Sequence, residues 1–163
     1  MKSVKNFKSI LDIREVEGEG GTVLVSDQPL IDIQDAFKVL YTFHGNILLK
    51  CQIFLDVEEA DPSATALMNY MYDARDPLEE RLGHYRKAGK NTLRDERRLE
   101  GIRNGENVYI AFWEYDEYLV HFVLCGQKAG GKIATRAMKG RDIFLFLSFQ
   151  HIPTRLNKKI QDG

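Results

Sequence analysis

A chain of 163 residues, 44% apolar and 29% charged, has the make-up of one ordinary globular domain and excludes a disordered or fibrous chain. Its net charge of −1 and pI of about 6.4 exclude a uniformly basic nucleic-acid binder. No apolar run reaches the ~18 residues that span a bilayer, and MKSVKNFKSILDIREVE at the start has no long apolar core or small-residue cleavage site, so a cytoplasmic domain without a membrane partner is expected over 1–163.

Taken in order, Ser9 to Val16 alternates as a strand, Gly18, Gly20 and Gly21 supply a turn, and Thr22 to Ser26 returns antiparallel. Ile33, Ala36, Phe37 and Leu40 follow the i, i+3, i+4, i+7 spacing, which predicts an amphipathic helix over 32–43, ended by Gly45-Asn46. Ile47, Leu49, Cys51, Ile53 and Leu55 form the core face of a strand, with Lys50 and Gln52 opposite. Asp61-Pro62 and Asp76-Pro77 each read as an N-cap followed by a proline at the first helical position, so two helices are expected there. Thr92 and Asp95 open a third helix over 92–103, whose thin apolar stripe (Leu93, Leu99, Ile102) suits an exposed element.

Asn107 to Leu124 holds the only tryptophan and three of the seven tyrosines, in two apolar runs joined at Glu114-Tyr115-Asp116-Glu117. Both faces of this hairpin are apolar, which places it inside a sheet rather than at a wet edge. Ile143 to Phe149 is another inner strand, and Pro153 to Ile160 is a short basic tail. Cys51 and Cys125 fall within strands and read as reduced core thiols. The order of elements predicts a single α+β domain: a mainly antiparallel sheet of about five to six strands, a central aromatic hairpin at 107–124, and three to four helices packed on it.

Charge is unevenly spread. Residues 1–74 carry 12 acids against 6 bases, 104–125 carry 4 against none, and 126–163 carry 2 against 8. Asp56, Glu58 and Glu59 lie at a strand end before Asp61, and Glu114, Asp116 and Glu117 crown the hairpin. An acidic surface of this kind suits a basic protein partner, since complementary charge accelerates encounter and selects among partners.

Gly126 to Lys132 (GQKAGGK) has the G-x-x-x-x-G-K spacing of a phosphate-cradling loop, but Ile133 stands where a magnesium-binding Ser or Thr belongs. The same stretch resembles part of the acyl-CoA pyrophosphate loop of the acetyltransferase family at Gln127 and Gly130, and departs from it at Lys132, where that loop has Gly or Ala. Lys128 and Lys132, with Arg94, Arg97 and Arg98 of the third helix, are the candidate anion-binding residues. On that helix Asp95, Glu96 and Glu100 alternate with the arginines, as on a solvated, self-paired face. His44, His84, His121 and His151 are dispersed, no C-x-x-C or H-E-x-x-H occurs, and no catalytic residue, metal site or cofactor is expected.

These residues point to a small protein-binding domain of the immunity, antitoxin or inhibitor type, without catalysis, acting through Asp56, Glu58, Glu59, Glu114, Asp116 and Glu117 on a basic partner such as a nuclease toxin. The competing expectation is an enzyme or accessory factor that binds nucleotide, acyl-CoA or nucleic acid through the 126–132 loop and the arginine-rich helix.

Overall fold

In the computed structural model, residues 13–18, 21–27, 33–57, 63–85, 96–105, 107–127, 136–138 and 140–152 are described. Four strands, β1 (Ile13–Gly18), β2 (Gly21–Ser26), β3 (Ala36–His44) and β4 (Ile47–Leu55), precede two helices, α1 (Ala64–Leu82) and α2 (Glu96–Arg103). Three more strands follow: β5 (Asn107–Glu114), β6 (Tyr118–Gly126) and β7 (Ile143–His151). All seven strands join one antiparallel sheet in the order β1-β2-β3-β4-β7-β6-β5. The architecture is α+β, with two helices and seven strands among the described residues, where the sequence predicts three to four helices and about five to six strands.

The helix expected over 32–43 is instead strand β3, flanked on both sides by paired neighbours. Val39, Tyr41 and Phe43 face one core and Leu40 the other, so a strand buried on both faces mimics helical spacing over a short window. The turn before it is closed by the Ala36 amide donating to Ile33 (3.1 Å) and puts Asp35 at φ 63°, a left-handed conformation that Asp tolerates better than most residues.

The two proline-started helices are one. Ser63 caps α1 by accepting from the Ala66 amide at 3.3 Å, and Gly83, at φ 88°, stops it with its amide on Glu79 (2.8 Å). Asp61-Pro62 lies outside the described residues, and Pro77 sits inside the helix. Burial of Leu67, Met71 and Leu78 against the sheet outweighs the interior proline's lost hydrogen bond. Helix α2 is less exposed than its thin stripe suggests, since Leu99 and Ile102 are both fully buried.

Both helices contribute to one core on a single face of the sheet, together with Trp113, Phe122, Leu145 and Leu147. A second, smaller cluster on the other face joins Val23, Val25, Leu40, Phe54, Val123, Cys125, Met138 and Phe144. The aromatic hairpin is not central: β5 is an edge strand and only β6 lies inside the sheet. Phe112 is half-buried and lies outside both clusters. Cys51 packs against the first core and Cys125 belongs to the second, and burial raises their thiols to about 12 and about 11. Among the described residues no helix is long and apolar enough to cross a membrane.

Candidate functional site

The β5–β6 turn presents Glu114, Asp116 and Glu117 to solvent on a braced support. Trp113 donates its indole N–H to the Gly83 carbonyl (2.8 Å), and Tyr115 donates its hydroxyl to the Leu82 carbonyl (2.7 Å). Within the turn the Tyr115 amide bonds Tyr118 (3.0 Å), the two tyrosine rings stack at 4.8 Å, and the Ile152 amide reaches Glu117 (3.1 Å). Burial, then the Tyr118 phenol, raises the Tyr115 hydroxyl above its ordinary value, so it remains a donor at neutral pH. The turn thereby abuts the C-terminal end of α1, where Glu79 and Glu80 add acids, Arg81 adds a base, and Glu79 holds His84 at 2.9 Å.

Asp56 does not join this turn. Gln150 pairs with both Leu119 and Lys50, whereas Leu145 pairs with both Leu124 and Leu55, so the turn and Asp56 lie toward opposite strand ends. Five residues of strand separate the two levels, roughly 17 Å. Asp56 is also charge-balanced: Arg141 grips both its oxygens (2.8 and 3.4 Å) while lying over the Phe37 ring at 4.2 Å. Glu58 and Glu59 lie outside the described residues. The six acids read from the sequence are therefore not seen as one patch.

Beside Asp56, a cleft of about 560 Å³ runs between α1 and the turn before β3. Ile33, Leu55, Ala74, Pro77 and Leu78 give it an apolar lining, and Asp35, Asp73 and Arg81 are exposed residues along it. Tyr70 donates to Asp35 Oδ2 at 2.8 Å and lies 3.3 Å from the Asp56 carbonyl. Burial, followed by the Asp35 hydrogen bond and the Asp35 and Asp56 charges, raises the Tyr70 phenol well above its ordinary range. Tyr70 stays protonated, which suits holding a partner group better than accepting a proton.

Of the candidate anion-binding residues, Arg97 is exposed on α2, and Arg98 lies on that helix with its side chain outside the description. Arg94, Lys128 and Lys132 lie outside the described residues. Among the described residues no three His, Cys, Asp or Glu side chains gather as a metal group. Sequence reading missed the Asp56–Arg141 pair, 85 residues apart, and the Tyr70–Asp35 bond. Neither leaves a local spacing signal. The chain matches no family model, no curated protein and no solved structure.

Proposed function

We propose that this protein is a small cytoplasmic binding domain of the immunity, antitoxin or inhibitor type, which acts without catalysis by presenting the acidic β5–β6 turn to a basic protein partner such as a nuclease toxin. The observation that carries this reading is the bracing of Glu114, Asp116 and Glu117 by Trp113 and Tyr115 against the end of α1. A turn ordered before contact loses little conformational freedom on binding, so more of its electrostatic attraction survives as affinity. The C-terminal end of a helix also carries partial negative charge, which adds to the same field. Exposed Tyr118 beside the acids supplies the aromatic contact that interface centres favour.

The test is capture of partners from the native host with wild type and with the triple variant Glu114→Gln, Asp116→Asn, Glu117→Gln, followed by association kinetics. The variant should fold as wild type does, and associate at least about tenfold more slowly at low salt, with the gap narrowing at high salt. Capture of the same partner at the same rate and salt dependence refutes the reading.

A further inference from the structure

The sheet face away from the helices changes character along its strands. One part is the apolar cluster around Phe54, Val123 and Phe144. Toward the end that bears the acidic turn, cross-strand register aligns Thr42, Lys50 and Gln150 on β3, β4 and β7. The next row aligns Gln52, Ser148 and His121 on β4, β7 and β6. Two-residue alternation puts these six on the face shared by Phe54, Phe144 and Val123. Phe112 of β5 ends the second row, its ring stacked on His121 at 5.1 Å and 18°.

Lys50 is the anomaly in this patch. Lys38, on the same face, holds Asp27 at 3.0 Å. Lys50 makes no ion pair among the described residues, and its cross-strand neighbours are a hydroxyl and an amide. Burial lowers the Lys50 pKa; His121 is lowered first by burial and then by the Lys50 charge. Glu114, two residues beyond Phe112 on the edge strand, is three strands from Lys50, or about 14 Å at usual strand spacing. A partly desolvated ammonium with no ion pair among the described residues is costly, and an anion held beside it by neutral donors would offset that cost. Ser148, only 3% exposed, is one of two buried polar residues among those described, the other being Ser26 on β2.

We propose that Lys50, His121 and Ser148, flanked by Thr42, Gln52 and Gln150, form a binding site for a small oxyanion, carboxylate or phosphate. The ammonium supplies the charge, the hydroxyls and amides supply neutral hydrogen bonds, and a ring N–H of His121 supplies another. The site does not depend on the reading of the acidic turn, although the row of Lys50 and Gln150 continues through Leu119 to Glu114 at the edge of the sheet. It also differs from the glycine loop at 126–132, where the sequence alone directs attention to phosphate.

The experiment follows the His121 ring by NMR in the full chain during titrations with sodium phosphate and with sodium acetate, each against sodium chloride at matched ionic strength. The expected result is a saturable shift with at least one oxyanion and a raised His121 pKa in the saturated state. Phosphate alone, acetate alone or both support the site and identify which class it prefers. Lys50→Met should fold, since it removes a desolvated charge, and should lose the saturable response. A wild-type response no different from chloride overturns the proposal, as does unchanged binding by Lys50→Met.

Discussion

The Trp113 indole stands 2.8 Å from the Gly83 carbonyl, so the last turn of edge strand β5 is fastened to the residue that stops α1. Trp113→Phe leaves that carbonyl without its indole donor and should cost about 1–3 kcal/mol, while Tyr115→Phe, which removes the bond to Leu82, should cost about 1 kcal/mol. Urea denaturation measures both. Hydrogen exchange at residues 115–118 should quicken in either variant if the two bonds order the turn.

Phe112 and Phe122 belong to one hairpin but should respond differently to truncation. Phe122 is fully buried in the helix-covered core, and Phe122→Ala should cost ~3–5 kcal/mol. Phe112 is half-buried against His121, so Phe112→Ala should cost roughly half as much or less. Equal losses in chemical denaturation would contradict the assignment of the two rings to opposite faces.

Gly126 ends β6 against the last turn of α2. A methyl group there would run into the Ile102 carbonyl oxygen and the backbone of Arg103. Gly126→Ala should therefore destabilise by ~1–3 kcal/mol, the usual range for overpacking, as measured by thermal or urea unfolding.

His121 makes stability sensitive to acid. Its folded pKa lies below the ordinary 6.5, so as pH falls through that value the unfolded chain takes up a proton the folded chain resists. This contribution is absent well above 6.5 and destabilises progressively below it. His121→Gln should lose less stability than wild type between pH 7.5 and 5.5. The exposed His44 and His84 and half-buried His151 are common to both proteins, so the difference in melting temperature reports His121.

Much of the fold is legible where polar punctuation and a single period coincide. The β5–β6 hairpin as a strand pair, β4 and β7 are legible because apolar runs meet turn residues at their ends, although the hairpin's expected central place is taken instead by β4 and β7. Reading fails where burial is two-sided or proline is misleading. Strand β3 has apolar side chains on both faces, which erases the period of two, and Pro77 is an interior helix residue that resembles a start signal. The acidic turn is visible as residues 114–117 because it is contiguous. The charge of Asp56 is legible but its neutralisation by Arg141 is not, since that requires knowing that β7 lies beside β4. The Lys50, Ser148 and His121 patch has the same cause: its members are apart in sequence and meet only through register.

The position of β7 also governs when the sheet can exist. The β1–β4 meander and the β5–β6 hairpin are each made from local pairings, yet nothing joins them in the sheet until the last described strand slots between β4 and β6. A chain still emerging from the ribosome would hold two partial sheets with β4 and β6 as bare edges, open to pairing with other chains. Closing the gap is a long-range step of high contact order, which favours slow folding and makes the interval before β7 arrives the point of greatest exposure to aggregation and to chaperones.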